Sequence, residues 1–120
     1  MVPIEPAHLV GIGGTIGALL RYGVVELVDI ESFPLGTFTV NIVGSFVLAV
    51  LTFIGANEQM ILLLGTGACG SFTTFSTFSF DTVHLWTTDN RTWAILNSVG
   101  TLIGAIMAIG LAWVLVRLLG

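Results

Sequence analysis

The chain has 120 residues, of which 55% are hydrophobic and 8% charged, and its formal net charge is −4. Its mean hydropathy is +1.04. Soluble domains carry about a quarter charged residues, so this composition excludes a soluble domain. Lysine is absent and only three arginines are present, which argues against a nucleic-acid partner because such binding depends on basic side chains.

Four apolar segments follow one another with short loops between them, at residues 8–28, 36–55, 61–86 and 93–116. Each is long enough to span a bilayer as a helix. The sequence therefore predicts an all-α membrane protein with a single four-helix transmembrane domain over residues 1–120, multi-pass in the cell (plasma) membrane. The loops leave no room for a separate domain outside the membrane.

The orientation of these spans is weakly specified, because Lys and Arg bias sets topology and the arginines divide almost evenly. With four spans, Arg117 falls on one face of the membrane and Arg91 on the other. Such a chain can insert in both directions, which allows an antiparallel dimer of identical subunits. A weak bias that still selects one orientation is the alternative, and both stay open at this point.

The first segment combines small residues with an arginine. Gly13 and Gly17 are spaced as a small-xxx-small pair, which lets helix backbones approach closely in lipid. Arg21 lies about thirteen residues into the segment, and an arginine at the bilayer centre costs roughly 3 kcal/mol or more. We therefore expect Arg21 at the interface or lining an aqueous vestibule; an anion-attracting role stays open.

The second segment contains one amide, Asn41, in an otherwise apolar stretch. Such an amide either forms an interhelical hydrogen bond or donates its NH₂ group to an anion. The fourth segment carries Asn97 and Thr101, which are four residues apart and so share a helical face. They form a short polar stripe beside Ser98.

The third segment is too long for one straight span. A helix from Met60 to Trp86 would measure about 40 Å, against a hydrocarbon core of about 30 Å. The segment must tilt or break, and Gly70, beside a Ser/Thr cluster, is the expected position of a break. Unwound backbone at membrane depth is tolerated only inside protein or beside a wet cavity.

The Ser/Thr cluster itself has two interpretations. Five of the seven side chains from Thr73 to Ser79 carry hydroxyls, interleaved with Phe75 and Phe78. The hydroxyls can bond back to the helix backbone, or they can line a pore or a buried ion site. Their number and the aromatic residues between them favour the second interpretation.

The polar side chains of the four spans suit a pathway for an anion, and they do not suggest an enzyme. The spans offer hydroxyl and amide donors and phenyl rings, which have positive edges. A cation or proton pathway normally has an intramembrane Asp or Glu, and no carboxylate lies deep in a span. No nucleophile has an adjacent base in the sequence, so we predict that the protein is not an enzyme.

Three motifs together resemble the CrcB/Fluc fluoride channels. They are GGTIGALLRY at 13–22, GTFTVNIVG at 36–44 and GACGSFTTFSTFS at 67–79. The resemblance extends over essentially the whole chain. It implies fluoride-selective, passive efflux that gives fluoride resistance, through a dual-topology, antiparallel dimer of four-helix subunits with a broken third helix.

The resemblance also assigns site residues. It implies that the phenyl edges of Phe75 and Phe78 face fluoride and that Asn41 is the pore amide. The remaining fluoride-pore residues that it implies are Ser76, Thr77, Asn97, Thr101 and Arg21.

A structural sodium ion at the dimer interface is the implied cofactor, held by the backbone carbonyls of Gly70 and Thr73. The implied partners are fluoride, the lipid bilayer and a second subunit, which is either the same chain in a homodimer or a paralogue in a heterodimer. Two other functions stay open from the sequence: a small dual-topology multidrug-type transporter, and a non-conducting structural membrane subunit.

Overall fold

The computed structural model describes residues 4–120, and every regular element in that range is helical. Four segments, one of them bent, are long and apolar enough to cross a membrane. We number the helices in chain order: α1 Pro6–Val28, α2 Leu35–Phe53, α3 at residues 58–72, α4 Phe75–Thr87 and α5 Arg91–Leu119. Helices α3 and α4 together form the bent third segment.

The helix ends follow from local chemistry. Helix α1 has Pro6 at its first position, where the missing N–H of proline costs nothing. Its C-cap is Asp29, whose Oδ1 accepts a 2.9 Å hydrogen bond from the Gly36 N–H and so ties the loop to the start of α2. Helix α2 is followed by Gly55 at φ 70°, a left-handed conformation that glycine adopts without strain.

Helix α3 is unusual because most of it is wider than an α-helix. After Glu58–Met60 it continues as a π-helix over Ile61–Cys69 and closes with Gly70–Phe72. π-Helices usually occur as single turns, and nothing in the local sequence predicts this one. It packs against α1 more extensively than any other pair of elements packs together.

Glycines permit that packing. A Cβ on Gly13 would overlap the Leu63 carbonyl oxygen, and a Cβ on Gly17 would overlap that of Ala68. The two backbones therefore approach as closely as the Gly13/Gly17 spacing predicts. In lipid, where apolar surfaces gain little by meeting each other, such close van der Waals contact holds helices together.

Helices α2 and α5 run in the same direction. Phe38 packs against Gly100, and one turn later Ile42 packs against Gly104. The parallel pairing is what four consecutive spans require of the second and fourth.

The break in the third segment lies three residues after the predicted position. Gly70 is helical, with φ −61° and ψ −35°, and its N–H donates to the carbonyls of Gly65 and Gly67. The backbone becomes extended at Thr73, with ψ 158°, and Thr74, with ψ 112°. The predicted bend is confirmed, but its assignment to Gly70 is wrong, because the break falls where polar partners satisfy the freed backbone groups.

The surface of the isolated chain is mostly apolar. Large side chains such as Leu19, Leu102 and Phe75 are more than half exposed. Apolar exposure of this extent indicates contact with lipid or with another protein chain.

Candidate ion pathway

The break is held open by one side chain from α2. The Asn41 Oδ1 accepts a 2.8 Å hydrogen bond from the Thr74 N–H, and the Asn41 Nδ2 donates to the Thr74 carbonyl at 3.2 Å. One amide thus satisfies both backbone groups of a residue that is only 7% exposed. The interhelical hydrogen bond expected of Asn41 is present, and its second Nδ2 proton is still available to another acceptor.

Thr74 also starts helix α4. Its Oγ1 accepts from the Thr77 N–H at 3.2 Å and donates to the Thr77 Oγ1 at 3.0 Å, which is a helix N-cap. The N–H groups of Phe75 and Ser76, in the first turn of α4, have no intrahelical acceptor. The start of α4 therefore presents donors and the positive end of a helix dipole.

A cavity of about 630 Å³ lies beside the break. We call it the central groove. It brings together six of the ten residues that the sequence singled out, while Ser45, Thr66, Cys69 and Ser98 add to its walls; the six are Asn41, Gly70, Thr73, Phe75, Phe78 and Thr101.

The two phenylalanines lie together at the groove, with ring centroids 5.8 Å apart and planes inclined at 37°. Phe75 is 79% exposed in the isolated chain. The groove is therefore open along this side, and Phe75 projects away from the rest of the chain.

Thr101 has the one hydroxyl in the groove that is both buried and unbonded. Two other hydroxyls of the groove donate to the carbonyl four residues earlier, Ser45 to Asn41 at 2.8 Å and Thr73 to Cys69 at 3.0 Å. Within residues 4–120, the buried Thr101 Oγ1 has no hydrogen-bond partner. Its proton therefore has no acceptor among these residues, and Thr101 lines the groove.

The other four predicted residues lie elsewhere. Thr77 and Arg21 line a separate depression of about 300 Å³, together with Thr37 and Thr74. Ser76 is exposed on the first turn of α4, and its Oγ lies 3.4 Å from the Thr74 Oγ1.

Asn97 is completely buried and donates through Nδ2 to the Thr82 Oγ1 at 2.9 Å. Thr82 in turn donates to the Phe78 carbonyl at 2.8 Å, so Asn97 supports the helix that carries Phe78. The Asn97 Oδ1 has no partner among the described residues. The Asn97 Oδ1 is a hydrogen-bond acceptor and would repel an anion, and Asn97 does not line the central groove.

The sequence interpretation missed Thr74 and Thr82. A threonine placed three residues before Thr77 at the start of an apolar helix is a recognisable N-cap pattern, which could have identified Thr74. Thr82 has no such local signal, because its partner Asn97 is fifteen residues away on another helix.

The break also leaves carbonyl groups free at the end of α3. The Thr73 N–H is the last to bond back into that helix, to Cys69 at 3.0 Å. The carbonyls from Gly70 to Thr73 lie in the final turn, where no later N–H of the helix reaches them. Among residues 4–120 no three His, Cys, Asp or Glu side chains are grouped to bind a metal, so a cation here would depend on these carbonyl oxygens.

Comparison with known proteins decides the family. A family model described as CrcB-like protein, camphor resistance (CrcB), matches residues 8–113. The chain belongs to the CrcB family. A Haloarcula marismortui protein named Fluoride-specific ion channel FluC 2 is 54% identical over 98% of this chain and 99% of its own length.

Two other relatives are also similar over most of their length. A Halobacterium salinarum relative, Fluoride-specific ion channel FluC 1, is 51% identical over 92% of this chain and 93% of its own. A Clostridium acetobutylicum relative, Fluoride-specific ion channel FluC 2, is 33% identical over 82% and 87%. These relatives are named as ion channels, and ion channels are not a class of enzyme.

Proposed function

We propose that this chain is the subunit of a fluoride-selective channel that lets fluoride leave the cell passively and so gives fluoride resistance. The proposal rests on one observation above all: the fold brings Asn41, Phe75, Phe78 and Thr101 to a single groove in a CrcB family member. The relatives named as fluoride-specific channels cover nearly the whole chain. The multidrug-type transporter and the structural subunit have no comparable support.

The chemistry of the groove suits a small, strongly hydrated anion. Fluoride only accepts hydrogen bonds, so a pathway must replace water with donors or leave the anion at a prohibitive desolvation cost. The Thr101 hydroxyl and the second Nδ2 proton of Asn41 are such donors. The ring edges of Phe75 and Phe78 add weak positive potential, and a constriction between rings would exclude larger halides.

Anion entry would be favoured at the first turn of α4. Free backbone N–H groups at a helix N-terminus attract anions, and the hydroxyls of Ser76 and Thr77 lie in that turn. Arg21 lines the depression next to Thr77, where its positive charge would draw fluoride from solution. Asn97 contributes indirectly, through Thr82 and the Phe78 carbonyl.

The open side of the central groove leads us to extend the proposal to a dimer. Phe75 projects from its own subunit, and a second subunit would close the groove into a pore in the plasma membrane. The even division of arginines fits an antiparallel, dual-topology arrangement, either of two identical chains or of this chain with a paralogue.

The end of α3 fits a structural cation at that interface. The carbonyls of Gly70 and Thr73 belong to the free final turn, and the negative end of a helix dipole favours positive charge. Carbonyl oxygens are the ligand type that hard cations prefer. In the proposed dimer, two such turns would hold a sodium ion, whose charge would favour anions in the neighbouring pores.

The test is fluoride efflux from liposomes that contain the purified protein, followed with a fluoride electrode. We expect rapid fluoride efflux, no measurable chloride efflux, and loss of fluoride efflux in Phe78→Ile. The matched control is Phe80→Ile, two residues along the same helix, at a side chain that is exposed and outside the groove. Equal fluoride and chloride fluxes, or no flux at all from the folded protein, would refute the proposal.

A further inference from the structure

A second, larger groove lies at the end of the molecule where α5 ends. We call it the terminal groove; its volume is about 1040 Å³. Because α2 and α5 pack in a constant register, Phe53 at the end of α2 falls near Leu115, and α5 continues beyond it to Leu119. The overhang leaves a notch with apolar walls, formed by Phe46, Val50, Phe53, Leu115, Val116 and Leu119.

The terminal groove and the central groove lie on opposite sides of α2. Asn41, Ser45 and Leu48 line the central groove and recur at the spacing of one helical face. At 100° per residue, Phe46 and Val50 point roughly the opposite way. A second subunit that closes the central groove therefore leaves the terminal groove facing lipid.

One cation lies at the mouth of this apolar notch. The Arg117 guanidinium carbon is 4.9 Å from the centre of the Trp113 ring, and Arg117 is among the residues that line the groove. No acidic side chain lines it, and across residues 4–120 Arg117 makes no ion pair. Tryptophan and arginine near the end of a spanning helix mark the level of the lipid headgroups.

We propose that the terminal groove binds an anionic phospholipid, with an acyl chain against its apolar wall and the headgroup phosphate on Arg117. The apolar wall suits the hydrocarbon of an acyl chain, and the positive charge of Arg117, which has no ion-pair partner among residues 4–120, suits a negatively charged headgroup. The acids at the same end of the molecule, Glu5 and Glu58, lie outside the groove. A soluble anion would gain the charge contact with Arg117 but nothing from the apolar walls.

The test uses quenching of Trp113 fluorescence by brominated lipids in vesicles, with Trp86→Phe and Trp93→Phe leaving Trp113 as the only tryptophan. We expect brominated phosphatidylglycerol to bind beside Trp113 about fivefold more tightly than brominated phosphatidylcholine, since one basic residue near the surface contributes about 1 kcal/mol. Arg117→Gln should abolish this preference, whereas Arg117→Lys should retain it. Because lipid binding is measured directly, the result does not depend on whether the protein conducts fluoride.

Arg91→Gln is the matched control. Arg91 stacks on Trp86 at 4.8 Å, almost the geometry of Arg117 on Trp113, but it lies at the opposite end of the molecule and lines neither groove. It should leave the preference at Trp113 unchanged. Equal binding of the two lipids, a preference that survives in Arg117→Gln, or displacement of the brominated phosphatidylglycerol by inorganic phosphate would overturn the proposal.

Discussion

Replacing Asn41 with alanine tests whether one amide holds the break in the third segment. The substitution removes both hydrogen bonds to Thr74, at 2.8 and 3.2 Å. Thr74 is 7% exposed, so its N–H and carbonyl would lose their partners in a buried position. The extended conformation at Thr73 and Thr74 would then have little to stabilise it.

The size of the effect follows from the two backbone groups. Leaving a buried donor or acceptor unsatisfied costs about 1–3 kcal/mol for each group. Because the central groove is open along one side, water can reach part of the break, and we take the lower half of the range. We therefore expect Asn41→Ala to lower the free energy of unfolding by about 2–4 kcal/mol.

The measurement is unfolding by SDS titration in mixed micelles, with fluoride efflux from liposomes measured in parallel. Ser45→Ala is the control, because Ser45 lies one turn along the same groove wall and its hydroxyl donates only to the carbonyl of Asn41 in its own helix. We expect it to change the free energy of unfolding by less than about 0.5 kcal/mol. Asn41→Asp keeps the acceptor for the Thr74 N–H but introduces negative charge, so efflux should fall more than stability. If Asn41→Ala unfolds like Ser45→Ala, the amide does not hold the break.

Three further predictions follow from the packing and the hydrogen bonds. Gly13→Ala should destabilise the protein, because its Cβ would overlap the Leu63 carbonyl, whereas Gly11→Ala, with nothing within 4 Å, should stabilise it by up to about 1 kcal/mol; equal SDS midpoints would contradict this. A double-mutant cycle of Asn97→Leu and Thr82→Val should give a coupling energy of about 1 kcal/mol, and additive effects would exclude a productive bond between them. Thr101→Val should leave unfolding unchanged but slow fluoride efflux, because that hydroxyl makes no hydrogen bond within residues 4–120; unchanged efflux would remove Thr101 from the pathway.

Several properties of this protein depend on local pattern and length, and the sequence alone determined them. Four long apolar runs with few charged residues predict four spans, and a third run longer than the bilayer core must tilt or bend. The Gly13 and Gly17 spacing predicted that the first helix packs closely against another helix. Each of these follows from hydrophobicity, helix rise or residue size, which are independent of what the rest of the chain does.

Only the tertiary structure decided where the bend falls and which polar side chains share a cavity. Gly70 permits a break, but the break lies at Thr73 and Thr74 because Asn41, thirty-three residues away, supplies both hydrogen-bond partners there. The same folding turns Thr77 away from the central groove and places Asn97 behind it. Buried backbone groups need partners whose position in space no local pattern specifies, and those partners determine where the helix opens.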